Sequence, residues 1–161
     1  MSTNAATTST PPVVSLQPTA GGSTVLPIIC VHQVSLPVSS LDRSLQWYSD
    51  LLGFEKDFPL SEEGVVHGWA LRHPLGPVGL ALVLDPARAT QATGFAYFSF
   101  ALPDEWSLHS LEQLLTARKI EHGGIVRALG GLKMLHVHDP DGHKIGFHMG
   151  GPRVYEQVPR V

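Results

Sequence analysis

The sequence predicts an α+β fold: two βαβββ modules forming a curved mixed sheet, an open barrel, with the helices on the convex side. Three observations predict it, namely an internal repeat, one amphipathic helix in each copy, and strands of alternating polarity. Val34 of the first copy superposes on Phe98 of the second. The turn that follows Arg72 likewise superposes on a turn that follows His138. A repeat of this kind indicates two copies of one strand–helix–strand–strand–strand unit.

Each copy contains one helix with recognisable ends. The first lies in HQVSLPVSSLDRSLQWYSDLLGFE, where Ser39 and Ser40 precede the helix as capping residues and Gly53 ends it. The second lies in AYFSFALPDEWSLHSLEQLLTARKIEH, where Pro103 and Asp104 form the entrance. Apolar side chains at helical spacing predict the buried face of both helices: Leu41, Leu45, Tyr48, Leu52, Leu108, Leu111 and Leu115.

The composition divides the chain into one domain and two tails. Residues 1–26 are rich in Ser, Thr, Ala, Gly and Pro without periodicity, which predicts a disordered tail. Residues 27–150 form the single predicted domain, with modules at about 30–88 and 93–150. Residues 151–161 form a short C-terminal tail.

Charge and cysteine content narrow the partners and the compartment. The net charge is −3 and only 11 residues are Lys or Arg, without a basic run, so neither nucleic acid nor an anionic membrane is an expected partner. No apolar run approaches the ~20 residues that span a bilayer. A single cysteine, Cys30, excludes a disulfide within the chain. Together these features favour a cytoplasmic protein.

Alternation assigns a face to each strand residue. An apolar set should lie beneath the helices: Val34, Leu36, Val38, Trp69, Leu71, Phe98, Phe100, Leu102, Leu135 and Val137. The opposite parity gives a mixed set: Gln33, Ser35, Ala70, Arg72, Leu80, Leu82, Tyr97, Ser99, Met134, His136, His138, Lys144, Gly146 and His148. A concave face lined by polar and ionisable groups is typical of a ligand cavity, although its outer members could simply meet water.

His136 and His148 are the candidate catalytic residues. They lie on the two arms of the last hairpin, and regular pairing would make them cross-strand neighbours with Cβ atoms ~5 Å apart. Either could then act as a general base or a hydrogen-bond donor, or the two could form a pair without a catalytic role. The candidate ligand-binding residues on the same face are Gln33, Ser35, Arg72, Tyr97, Ser99 and Met134. Other histidines are interpreted as surface residues: His67, His73, His109, His122 and His143.

The paired modules and the hairpin HVHDPDGHKIGFHMGG resemble the vicinal oxygen chelate superfamily, which includes glyoxalase I, fosfomycin- and bleomycin-resistance proteins and extradiol dioxygenases. The resemblance covers about residues 30–150. It implies a small-molecule cavity and a homodimer, and leaves open whether the site lies within one chain or across two.

The resemblance also implies four metal-ligand positions, here Gln33, Leu80, Tyr97 and Gly146. Leu80 and Gly146 offer no side-chain donor, and a phenol is a poor ligand unless it is deprotonated. Divalent metals need carboxylate or imidazole donors, and a catalytic site usually draws three from the protein. The sequence therefore predicts that the inherited metal site is degenerate and that no cofactor is bound, with a divalent metal as the alternative.

Two functions remain open. The first is a cavity protein that binds an aromatic or drug-like molecule without metal, for sequestration or resistance. The second is an enzyme of the same fold (an isomerase, cyclase, lyase or dioxygenase), in which His136 and His148 act as acid and base or as ligands of a relocated metal. A structural or interaction role ranks third, because it would leave a polar-lined cavity unexplained.

Overall fold

The structure, a computed structural model, describes residues 31–128 and 131–149. Its first module runs through β1 (Val34–Val38), α1 (Leu41–Leu52), β2 (Glu55–Glu62), β3 (Val65–His73) and β4 (Gly76–Leu84). A short helix, α2 (Pro86–Gln91), connects it to the second. That module runs through β5 (Ala96–Leu102), α3 (Glu105–Ala117), β6 (Ile125–Ala128), β7 (Gly131–His138) and β8 (Lys144–Met149).

Each module builds one four-stranded mixed sheet. The strand orders are β1-β4-β3-β2 and β5-β8-β7-β6, so the two sheets have the same topology. The first and last strands of each module, β1 with β4 and β5 with β8, pair in parallel, and the remaining neighbours are antiparallel. The α+β fold of two βαβββ modules is therefore confirmed. The connecting helix α2 was not predicted.

Both long helices begin at the capping residues that the sequence indicates. The Ser40 side chain accepts a hydrogen bond from the backbone N–H of Arg43, and Gly53 ends α1 in the left-handed conformation at φ 73°. Asp104 caps α3 by accepting from the backbone N–H of Ser107. That bond and a second one from the Ser107 hydroxyl lower the pKa of the Asp104 carboxyl.

Helix α1 lies in contact with both modules. Leu45 and Tyr48 pack with strands β1, β3 and β4, while Leu51 belongs to the cluster of α3, β7 and β8. Phe98 and Phe100 of β5 also contact both clusters. The two modules therefore share one continuous apolar layer on their helix side.

The predicted face of β4 is wrong by one residue. Val34 pairs with Leu80 and Leu36 with Leu82, so both leucines of β4 lie in the core on the helix side. Residues paired in register on parallel neighbours point to the same face, which makes Ala81 the residue that faces away from the helices. The repeat superposes the turns correctly, but it does not determine which residues of a uniformly apolar strand face the helices.

The predicted faces of β7 are also partly wrong, because this strand contains a β-bulge. Pairing with β8 shifts between Met134 and Val137, and His136 adopts φ 56° there. Met134 consequently joins Val137 in the core, although alternation had placed it on the opposite face. Leu135 does not belong to the core cluster and exchanges backbone hydrogen bonds with Gly123 and Gly124 instead.

The two predicted tails, residues 1–26 and 151–161, lie outside the described residues and stay predictions, as do the domain boundaries. In the described ranges, no helix combines the length and the apolar character that crossing a membrane requires.

Candidate functional site

The structure changes which residue of β4 stands at a family metal position. Ser35 pairs with Ala81 in the first module, and Ser99 pairs with Gly146 in the second. The counterpart of Gly146 is therefore Ala81, while the expected residue, Leu80, is buried on the opposite face. Ala81 offers no donor either.

The surroundings of Gly146 leave no room for a metal ligand there. A Cβ atom added to Gly146 would overlap the hydroxyl oxygen of Ser99, and it would lie 2.9 Å from the Ser99 Cβ. A side chain at position 146 therefore requires a change at Ser99 as well.

Tyr97 and Gln33 do not complete a donor set. The Tyr97 ring lies edge-on against Phe95 and against His143, with centroids 4.8 and 5.4 Å apart. Gln33 is exposed at the start of β1 and provides an amide rather than a charged donor. Across residues 31–128 and 131–149, no group of three or more His, Cys, Asp or Glu side chains could hold a metal. The residues at the family positions do not fit a divalent ion.

The two candidate catalytic histidines are not cross-strand neighbours. His148 pairs with Lys133, because the bulge in β7 moves the register past His136. The His136 ring lies beside Gly123 instead: a Cβ atom added to Gly123 would come within 2.5 Å of the His136 Cδ2. Both histidines are exposed. The expected geometry of the pair is therefore wrong, while any individual role for either histidine stays a prediction.

The remaining predicted ligand-binding residues divide by burial. Met134 is buried in the core, and Ser35 and Ser99 are exposed. Arg72 is also exposed and forms an ion pair with Glu55, so its guanidinium already has a charged partner.

A cavity lies between the modules, and we call it the inter-module groove. It has a volume of about 520 Å³, within the range of small-molecule sites. It is formed by the end of α1, the β3–β4 turn, the end of β5, the start of α3, and Phe147 of β8. Its lining is mostly apolar and aromatic: Leu52, Phe54, His73, Leu75, Gly76, Val78, Phe100, Ala101, Leu102, Pro103, Ser107 and Phe147.

A second cavity adjoins the groove. It measures about 240 Å³ and shares Val78, Phe100 and Ala101 with the larger one. Ser99, one of the predicted ligand-binding residues, lines it. Alternation could not have revealed the inter-module groove, because Val78, Phe100 and Phe147 have the parity of core residues. The groove exists only where the two modules meet.

His73 is a titratable side chain in the groove lining. Its ring packs edge-on against Phe54 with centroids 5.2 Å apart. Its Nδ1 atom accepts a hydrogen bond of 3.2 Å from the backbone N–H of Leu75. The interpretation of His73 as an ordinary surface residue is therefore incomplete, since the side chain is half-buried.

A buried polar cluster, which no sequence pattern indicated, joins α1 to the β7–β8 turn. The Tyr48 hydroxyl donates to Asp139 Oδ2 over 3.1 Å, and His143 Nδ1 lies 2.9 Å from the same oxygen. His143 is fully buried, so its interpretation as a surface residue is wrong. Burial, reinforced by the neighbouring Asp139 carboxylate, raises the pKa of Tyr48 well above 10.0.

Asp141, in the same turn, forms a second set of hydrogen bonds to the first module. Its carboxylate accepts hydrogen bonds from the Ser39 backbone and hydroxyl, the Ser44 hydroxyl and the Arg43 guanidinium. These bonds connect the N-terminal turn of α1 to the second module. They are contacts between the two modules that stand beside the shared apolar layer.

Paired βαβββ modules with parallel first and last strands define the fold class, and comparison with known proteins identifies the family. The chain belongs to the glyoxalase/bleomycin resistance protein/dioxygenase superfamily, whose family model matches residues 31–147.

Relatives within and beyond this family have different activities. A catechol-2,3-dioxygenase of Bacillus subtilis (strain 168) is 33% identical over 129 residues, which cover 76% of this chain and 42% of that protein. The chain thus spans less than half of that relative's length. The structure of lactoylglutathione lyase from Agrobacterium tumefaciens matches with a TM-score of 0.61 and 20% identity, over 77% of this chain and 96% of the other. TnmS3, an antibiotic binding protein from Streptomyces sp. CB03234, matches with a TM-score of 0.63 and 18% identity, over 78% and 99%. At such identities, these two structures establish the fold alone.

Proposed function

We propose that the protein binds a small organic molecule, aromatic or drug-like, in the inter-module groove without a metal ion, in sequestration or resistance. The observation that carries this proposal is the groove itself. Its volume suits a ligand of that size, and three phenylalanines line it: Phe54, Phe100 and Phe147. Aromatic rings bind flat apolar ligands through burial and edge-to-face contacts.

The donor chemistry supports binding without metal. The family positions carry Gln33, Ala81, Tyr97 and Gly146, and three of the four lack any donor suited to a divalent ion at neutral pH. The antibiotic binding protein TnmS3 provides a precedent for antibiotic binding in this fold.

The second candidate is an enzyme of the same fold, and the identity to a catechol-2,3-dioxygenase favours it. It requires either a metal held by other residues or an acid–base pair. Its weakness is the hairpin register, which places Lys133 rather than His136 opposite His148. We therefore rank binding first.

Filling the groove tests the proposal. Val78 lines both cavities and is 38% exposed, so Val78→Phe should place a ring in open space without disturbing the core. The probe is 2-acetylnaphthalene, followed by its fluorescence on titration with protein. We expect Val78→Phe to weaken binding by about tenfold or more, because the added ring excludes the ligand.

Val65→Phe is the matched control. Val65 is 68% exposed at the β2–β3 hairpin and does not line the groove. It should leave the Kd for 2-acetylnaphthalene unchanged. Equal affinity of wild type and Val78→Phe would show that the probe binds elsewhere.

A further inference from the structure

The tautomer of His73 is fixed by its backbone partner. Leu75 N–H can only donate, so His73 Nδ1 must accept and cannot carry a proton while this hydrogen bond exists. The neutral imidazole then carries its proton on Nε2. His73, a residue of the groove lining, therefore carries an N–H donor at Nε2.

This donor has no partner in the part of the chain that the structure describes. Among residues 31–128 and 131–149, the Nε2 atom of His73 makes no hydrogen bond. It lies at the end of the groove next to the C-terminus of α1, since a Cβ atom added to Gly53 would be 4.0 Å from it. An unused donor in an otherwise apolar groove selects among ligands, because a matching acceptor satisfies it and an apolar group does not.

The other polar side chain of the groove does not compete for this role. Ser107 donates its hydroxyl proton to Asp104 Oδ1 over 2.7 Å, which leaves only acceptor capacity toward the groove. The apolar lining includes Phe100, Leu102 and Phe147. The lining thus combines a large apolar surface with one directional side-chain donor at one end.

We infer that the ligand of the inter-module groove is an aromatic compound with an acceptor oxygen, a carbonyl or a carboxylate, at the end that meets His73 Nε2–H. This inference rests on the proposed function and assigns the ligand class of that site. His73 is then the specificity-determining residue of the groove, and Phe54 holds its ring in place by the edge-on contact.

A pair of isosteric neutral probes tests the inference: 2-acetylnaphthalene carries the acceptor oxygen, and 2-isopropenylnaphthalene replaces C=O by C=CH₂. The measured quantity is the ratio of the two Kd values for each variant. In wild type the acetyl compound should be preferred. His73→Phe keeps the ring contact with Phe54 but has no donor, so the preference should fall by about three- to tenfold, the range of one net hydrogen bond.

Two further variants complete the design. His73→Gln places an amide N–H near the Nε2 position and should retain much of the preference for the acetyl compound. His67→Phe is the matched control on the same strand, because His67 does not line the groove, and it should leave the ratio unchanged.

The outcomes separate the two proposals. If His73→Phe leaves the ratio of the two Kd values unchanged while Val78→Phe weakens the binding of both probes, the donor inference is overturned and groove binding stands. Failure of both probes to bind the wild-type protein overturns both proposals. A ratio that falls equally in His67→Phe also overturns the inference, because the effect would then not arise from Nε2.

Discussion

Tyr48 illustrates how one side chain connects the two modules. Its ring belongs to the core of the first module, while its hydroxyl donates to Asp139 in the second. Asp139 also accepts from His143 and from the backbone N–H groups of Asp141 and His143. A buried carboxylate is tolerated because these donors replace the lost hydration.

We predict that Tyr48→Phe lowers the free energy of unfolding by about 1–3 kcal/mol, because it removes one donor from a buried carboxylate. Urea unfolding at neutral pH measures this change. Tyr97→Phe is the matched control, since the Tyr97 hydroxyl forms no hydrogen bond within the described residues and its side chain is 36% exposed. A loss of similar size in both variants would contradict the role of the Asp139 contact.

The raised pKa of Tyr48 adds a pH dependence with a defined sign. The folded state keeps the phenol proton above pH 10.0, where the unfolded chain releases it, so unfolding releases a proton there. This contribution to stability is fully present below about pH 10 and is lost as the pH rises toward the higher folded pKa. The difference in unfolding free energy between wild type and Tyr48→Phe should therefore shrink above pH 10. A constant difference across that range would be inconsistent with the raised pKa.

At the scale of elements, the helices and turns could be predicted because each has a local chemical cause. Ser40, Gly53 and Asp104 act through hydrogen bonds and backbone conformation within a few residues. The face of a strand has no such local cause when both parities are apolar. In β4, Leu80 and Ala81 alternate between two buried environments, and only pairing with β1 decides which residue faces the helix.

The bulge of β7 is the second feature that alternation cannot reveal. It inverts the faces of Met134 and Leu135 and separates His136 from His148. Nothing in the letters MLHVH marks the irregular residue, because histidine is acceptable both in a regular strand and in the left-handed region. The predicted cross-strand pairing of His136 with His148 is wrong for this reason, while a catalytic role for either histidine stays a prediction.

We predict that the bulge makes position 136 sensitive to β-branching. His136 has φ 56°, a conformation that costs a non-glycine residue about 1–2 kcal/mol and is worst for β-branched side chains. Because His136 already bears that cost, His136→Val should destabilise the protein by about 1 kcal/mol more, the added penalty of the branched Cβ. His148→Val, on the regular strand β8 of the same hairpin, should change stability little or increase it. Thermal unfolding of both variants measures these changes in stability. Equal effects would indicate that the hairpin pairs without this bulge.

At the scale of the whole molecule, the candidate site depends on how two similar modules meet. The sequence predicted both modules and the loss of the family's metal donors. It did not predict the inter-module groove, because Phe54, Phe100 and Phe147 belong to different elements and are adjacent only in the folded chain. Sequence repeats describe each module by itself, whereas the groove is lined by residues of both modules.

The metal-free proposal leads to a prediction for the intact protein. We expect protein purified without a His tag to contain no stoichiometric divalent metal, and added zinc, nickel or manganese to leave its Tm nearly unchanged. A ligand at 100 times its Kd would stabilise the fold by about 2.7 kcal/mol, which a thermal shift detects readily. Native mass spectrometry of the same sample also tests the homodimer that the family resemblance implies. Gly146→Glu supplies the carboxylate that the family position lacks, but the overlap with Ser99 should lower its stability, and metal should not restore it. A metal-induced rise in Tm of the wild type that disappears in the His136→Ala, His148→Ala double variant would instead support an enzyme with a relocated metal.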